Sequence, residues 1–315
     1  MAYQRPIVRV QKLHEYTGHK APIFGLTHDH QGNFFSASGD GLIVHWDSQS
    51  LSDGKAIFQA NIPFYSVQII HSHLLACGAS DGVIYFYDLA QKKLIKSIQA
   101  HTKSIFQILP INKEFFITIG GDGKLNLWNH EHLEIINSFL ISTESLRTVV
   151  YEPNFQWIIL GGSDSKIRVL EFKNLNIRLI KEWSAHNPSV FSIVFTFHAP
   201  FLVSAGRDAS IRIWNYHENF RLIQEIPAHI QTINHLCISP NGKYLLSGSM
   251  DKLLKLWDIE KDFKLIKVID KNRNDSHSAS INHILWLEYN DSIISCGDDK
   301  KIIQWAIEIN PQEKE

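Results

Sequence analysis

Apolar residues along this chain fall in short runs, broken by Gly, Asp, Asn, Ser and Pro. "SVFSIVFTF" (189–197) is followed at once by "FLVSAG" (201–206), and "FRLIQEI" (220–226) comes a turn after the next tryptophan. Short runs rich in β-branched and aromatic residues, bounded by turn formers, predict strands. No stretch carries the 3.6-residue period of a long amphipathic helix. The chain reads as all-β.

The runs repeat. "GDGKLNLWN" (121–129) recurs as "GDGLIVHWD" (39–47), "SDGVIYFYD" (80–88), "SDSKIRVLE" (163–171), "RDASIRIWN" (207–215), "MDKLLKLWD" (250–258) and "DDKKIIQWA" (298–306). The aligned aspartates are Asp40, Asp81, Asp122, Asp164, Asp208, Asp251 and Asp299, spaced by 41, 41, 42, 44, 43 and 48 residues. Six positions after each stands a large residue: Trp46, Tyr87, Trp128, Leu170, Trp214, Trp257 and Trp305. A small residue followed by histidine precedes five of the aspartates by 21 or 22 positions. Each unit then holds four short strands. A fixed period of this length is the mark of a repeat architecture.

Seven such copies resemble WD40 repeats, and the chain resembles a WD-repeat β-propeller along essentially its whole length. The resemblance implies a seven-bladed β-propeller of four-stranded antiparallel blades. It also implies a structural tetrad in each blade, in which a serine or threonine links histidine to tryptophan and the histidine meets the aspartate. The spacing fits His19, Ser36, Asp40 and Trp46; His101, Thr118, Asp122 and Trp128; His186, Ser204, Asp208 and Trp214; His229, Ser247, Asp251 and Trp257; and His277, Ser295, Asp299 and Trp305. Unit two has Ala60, Cys77, Asp81 and Tyr87 instead, and unit four has Leu160, Asp164 and Leu170, with Thr143 near the histidine position. A Ser/His/Asp set invites a hydrolase reading. Five copies, each with its hydroxyl mid-strand and none on a G-x-S-x-G elbow, argue instead for buried polar networks.

After Trp305 only "AIEINPQEKE" remains, with no fourth strand for the last unit. "IVRVQKLHEY" (7–16) resembles the fourth strands elsewhere, so it is expected to pair as the outer strand of the blade holding Asp299. Residues 1–315 are expected to form one domain, and "DKNRNDSHSAS" (270–280) reads as a solvated polar insertion.

Composition narrows the function. Net charge is −1 and charged residues make up 20% of the 315. A general nucleic-acid or anionic-membrane binder would show a strong basic excess. No apolar run approaches the roughly 20 residues of a membrane helix, and the first residues lack the apolar core of a secretory signal. Cys77, Cys237 and Cys296 are far apart in apolar runs, as buried reduced thiols would be. The expected location is cytoplasmic. There is no C-x-x-C, H-E-x-x-H or P-loop. "GGDG" (120–123) and "GGS" (161–163) are tight turns with no helix behind them to hold a phosphate. No cofactor or metal is expected; the nearest candidates for ligation are His28 with His30, and His130 with His132. Arg168, Arg212 and Lys255 recur four positions after their aspartates and are expected to form an exposed, ion-paired face.

The resemblance puts the partner site on the top face, around the central channel, five residues after the histidine, with Tyr65 and Arg147 placed by their spacing from Asp81 and Asp164 where the histidine is missing. That position holds Phe24, Tyr65, Phe106, Arg147, Phe191, Asn234 and Asn282. The residues before the aspartates add Arg207, Met250 and Asp298 as a rim. Aromatic and arginine side chains are the ones enriched at binding hot spots. Phe106, Arg147, Phe191 and Arg207 together would suit an apolar side chain beside a carboxylate or phosphate, which arginine binds bidentately. The expectation is a non-catalytic scaffold docking another protein or a peptide segment through an acidic or phosphorylated group. The alternatives are an enzyme working at the channel mouth, or binding through blade sides or bottom face with the aromatics only packing on each other.

Overall fold

In the computed structural model, which describes residues 6–50, 53–71 and 73–310, the strands form seven four-stranded antiparallel sheets. Each sheet is one blade, numbered here one to seven by its aspartate from Asp40 to Asp299. The innermost strands are Ile23–His28, Phe64–His71, Ile105–Pro110, Leu146–Glu152, Val190–Phe195, Ile233–Ile238 and Ile281–Trp286. Each touches the next, and the last touches the first, so they ring a central channel.

The ring is closed by strand exchange between the chain ends. Ile7–Tyr16 runs antiparallel to Ile302–Asn310, with Ile7 opposite Asn310 and Tyr16 opposite Ile302. The buried Tyr16 hydroxyl donates to Gln304 Oε1 at 2.6 Å. The insertion at 270–280 differs from the solvated loop expected. Lys271–Asn274 make one helical turn, with the Asp270 side chain accepting from the Arg273 N–H at 2.9 Å. Lys12 on the closing strand then donates to Asp275 Oδ2 at 2.8 Å. The insertion thus braces the closure. Residues 1–5 and 311–315 lie outside the described residues.

The core is seven apolar layers, one between each pair of neighbouring blades. Ile117, Ile119 and Leu125 of blade three meet Leu146, Val149, Leu160 and Leu170 of blade four. Tyr16, Ile294, Cys296 and Ile302 of blade seven meet Ile23, Phe34, Val44 and Trp46 of blade one. Because both faces of a blade are covered, second strands such as Phe115–Gly120 are apolar almost throughout. Complete burial stabilises by about 1.5–3 kcal/mol per large aliphatic or aromatic side chain.

The outer strands are free edges, and all of them are interrupted. In blades two to seven the ladder slips one residue at the large residue of the repeat, as between Leu127 and Trp128. In blade one the slip falls between Ile43 and Val44. A bulge blunts an edge against pairing with another chain. Among the described residues no helix is long and apolar enough to cross a membrane.

Candidate functional site

Every innermost strand carries a bulge at the same place, and that of blade two has a second between Ile69 and His71. The ladder slips between Ile23 and Gly25, Phe64 and Ser66, Ile105 and Gln107, Leu146 and Thr148, Val190 and Ser192, Ile233 and His235, and Ile281 and His283. The residue left over in each case is Phe24, Tyr65, Phe106, Arg147, Phe191, Asn234 or Asn282. A bulge takes a side chain out of the alternation of the strand and re-aims it. All seven of these side chains line one cavity of about 450 Å³ at the channel mouth.

The five side chains from Phe24 to Phe191 touch in sequence. The rings of Phe24 and Tyr65 are 4.7 Å apart, and those of Tyr65 and Phe106 are 5.7 Å apart, edge to face. The Arg147 guanidinium carbon lies 4.3 Å from the Phe106 ring centre and 5.5 Å from that of Phe191. Its Nε donates to Ser163 Oγ at 2.9 Å, which fixes the plane of the group. Burial pulls the Arg147 pKa down and nearby Arg207 pulls the same way, with only Tyr65 against them. None of the described residues lining the cavity is a carboxylate. A desolvated cation without a counter-ion favours an anionic ligand.

The other side of the ring is held by amides. Asn234 Nδ2 donates to Ile281 O at 2.8 Å and to Ser280 Oγ at 2.9 Å. Asn282 Nδ2 donates to Ile23 O at 3.0 Å and to Asp298 Oδ1 at 2.7 Å. These two asparagines tie each blade to the next, so their donors are already committed. Arg207, Met250 and Asp298 stand exposed on the rim.

Beneath the face, five blades carry the same hydrogen-bonded series. In blade six the Trp257 indole N–H donates to Ser247 Oγ at 3.0 Å, the hydroxyl donates to His229 Nε2 at 2.8 Å, and Nδ1–H donates to Asp251 Oδ2 at 2.9 Å. The corresponding His–Asp distances are 2.9 Å for His19–Asp40, 2.9 Å for His101–Asp122, 2.8 Å for His186–Asp208 and 3.0 Å for His277–Asp299. Each aspartate also accepts backbone N–H groups, as Asp40 does from Lys20 at 2.7 Å and Leu42 at 3.0 Å. Burial works to raise the Asp40 carboxyl, but the Lys20 N–H and the His19 imidazole outweigh it, and the pKa is lowered. Burial also lowers His19, His101 and His229, despite the aspartate each one faces. His19, His101 and His229 are therefore neutral donors at pH 7, and the series sets the loops that present the bulges.

A family model described as "WD domain, G-beta repeat" matches residues 10–47, 177–215, 220–258 and 269–306. The fold superposes on the crystal structure of the WD40 beta propeller domain of Doa1 with a TM-score of 0.82, covering 97% of this chain and 98% of that one at 18% identity. This chain carries WD40 repeats at four positions of a propeller fold. Among similar proteins, WD repeat-containing protein 91 of Gallus gallus is 23% identical over 247 residues, which is 69% of this chain and 32% of that protein. Striatin of Mus musculus is 23% identical over 238 residues, 68% of this chain and 29% of that protein. The chain thus spans about a third of the length of these relatives.

The blades whose aspartates lie outside the matched stretches are blades two to four. Blade three keeps its full series, with His101 Nε2 2.9 Å and Trp128 Nε1 3.0 Å from Thr118 Oγ1. Blade four replaces it. Ser142, not Thr143, takes the histidine place and donates to Asp164 Oδ2 at 2.8 Å. Arg168 pairs with Asp164 on one side and with Glu182 at 3.1 Å on the other. This corrects the expectation of an exposed basic face, since Arg168 is only 6% exposed. Arg212 joins Asp208 at 2.8 Å and Glu225 at 2.7 Å, and Lys255 Nζ donates to Ala228 O at 2.6 Å. These cations are parts of the scaffold.

Of the two histidine pairs outside the tetrads, His28 and His30 meet edge to face with ring centroids 4.3 Å apart. His28 Nδ1 accepts from the His30 N–H at 3.3 Å, and His130 is buried against Phe116 while His132 is exposed. Among the described residues no group of three His, Cys, Asp or Glu could hold a metal ion. Sequence reasoning missed the layer just below the ring, one residue after each bulge. There His235 and His283 stack with centroids 3.8 Å apart. The signal was available, because the position follows the ring residue directly in every unit.

Proposed function

We propose that this propeller is a non-catalytic docking scaffold that takes a segment of another protein at the channel mouth. The observation that carries the reading is Arg147, set between the Phe106 and Phe191 rings in a cavity whose described lining has no carboxylate. The segment would set an apolar side chain on the arc Phe24, Tyr65, Phe106 and Phe191, and an acidic or phosphorylated group on Arg147. Arg207, Met250 and Asp298 would meet its flanks. A face held rigid by bulges and interblade bonds costs little ordering on binding. Being a WD40 propeller supports the reading, because such propellers generally bind proteins or peptides. An enzyme at the mouth would need converging acid, base or nucleophile, and the lining offers Arg147, Tyr65 and two histidines. A peptide array probed with the native chain and with Phe191→Ala and Arg147→Ala tests the reading. Spots that bind the native chain should fade with both variants, and unchanged spots would refute it.

A further inference from the structure

The wall of the channel below the ring is mostly occupied in joining blades. Ser66 Oγ donates to Ile105 O at 3.0 Å. Gln107 Oε1 accepts from the Val149 N–H at 2.8 Å, and its Nε2 donates to Val149 O at 3.0 Å. Ser192 Oγ accepts from the Leu236 N–H at 2.9 Å. At the same level His235 and His283 depart from this pattern. Their rings face each other at 32°, and both Nδ1 atoms are buried without a partner. The next wall position is Gly25, which offers no side chain to His283. A Cβ there would lie 3.1 Å from Tyr65 O. The pair lines the mouth cavity and also a second cavity of about 370 Å³.

We propose that the His235–His283 pair is an oxyanion site inside the channel, and that the pair takes up one proton from solvent as the anion arrives. The proposal rests on the reading of the mouth as an anion-accepting dock and extends that dock inward. A neutral imidazole has one N–H. Protonating one ring makes both its nitrogens donors, and the cationic ring can rest on the face of its neutral neighbour. Burial keeps the pair neutral at pH 7: it pulls His235 down to about 4, and it lowers His283 well below its usual value, with His235 adding to the effect. An anion beside the stacked rings favours the charged form. The strands packed against the pair contribute Cys237, Tyr244, Cys296 and His28 as titratable groups, and Arg147 stands across the mouth. None of these is a carboxylate that could neutralise the new charge, so the anion would be its counter-ion.

The test uses sulfate, which does not titrate near neutrality, and the capped amino acid acetyl-phosphoserine amide. Each is titrated calorimetrically into the native chain in buffers of different ionisation heat. Affinity for the probe that fits should rise by up to about tenfold per pH unit on acidification below pH 7.5, with matching proton uptake. Sulfate alone showing the slope means a free inorganic anion, and the phosphoserine probe showing it means a side chain; both support the site. His235→Asn with His283→Asn should flatten the slope. Arg147→Gln should weaken binding and leave the slope; if it leaves affinity unchanged while the slope persists, the mouth reading fails and the pair stands. A flat profile in the native chain, or a slope that survives the double substitution, overturns the proposal. So does an NMR titration of the native chain in which the imidazole C–H signals of both histidines stay unmoved by either probe.

Discussion

The guanidinium carbon of Arg147 lies 4.3 Å above the Phe106 ring, and its Nε–H is fixed on Ser163 Oγ. Both contacts depend on a flat, forked cation. Lysine would keep the charge and lose the stacking and the fork. Arg147→Lys is therefore expected to weaken binding of an acidic or phosphorylated peptide about tenfold, a loss of roughly 1.4 kcal/mol. Arg147→Ala should lose more. Titration of one array-selected peptide against both variants checks the order.

The Tyr16 hydroxyl donates to Gln304 from across the chain ends. Removing residues 1–16 leaves Ile302–Asn310 as a bare edge and uncovers the layer of Ile294, Ile302 and Trp46. Removing 309–315 takes away only the end of that ladder. The first truncation is expected to melt far below the second. Equal melting temperatures would contradict closure by the first strand.

Ser247 serves two buried partners, His229 and Trp257. Ser247→Ala leaves an imidazole nitrogen and an indole N–H unpaired, at a cost of about 1–3 kcal/mol. Blade four gives the opposite case. Leu160 is packed in an apolar layer with Leu170, so Leu160→Ser buries a hydroxyl beside neither imidazole nor indole. It too should destabilise, by an amount at least as large as Ser247→Ala. Urea unfolding of both variants measures the two effects, and a neutral Leu160→Ser would contradict the layer.

Stability should fall in acid in two stages. The folded pKa of His19, His101 and His229 is lowered, so the unfolded chain binds more protons below about pH 6.5, and stability declines as pH drops through that region. The carboxyls of Asp40, Asp122, Asp251 and Asp299 are also lowered. Their contribution is complete above the unfolded value of about 3.9 and is lost as pH falls through the folded values. Melting temperature followed from neutral pH downward should drop first by the histidine stage. A constant value down to about pH 4 would contradict the neutral-histidine network.

Much of this was legible in the sequence because one rule is written seven times. The aspartate spacing set the blade count, and the gap after Trp305 pointed to residues 7–16. The bulge residues could be named because each sits at a near-constant distance from the histidine or, for Tyr65 and Arg147, from the aspartate of its unit. What stayed hidden depends on neighbours from other blades. Arg168 looked like a surface cation until Asp164 and Glu182 were seen on either side of it. Asn234 was legible only as a ring position, and its donors meet the next blade at Ile281 and Ser280. His235 and His283 are 48 residues apart, and only ring geometry stacks them. The polar loop at 270–280 gave no hint that Lys12 would hold Asp275.

The central claim is that the channel mouth, and not the blade edges, receives the partner. Amide hydrogen exchange on the native chain, with and without an array-selected peptide, tests it most directly. The expected result is slower exchange in the segments around Phe106, Arg147 and Phe191, with the outer strands unchanged. Protection confined to outer strands such as Asn176–Ser184 or Arg221–Pro227, with the mouth exchanging as before, would contradict it.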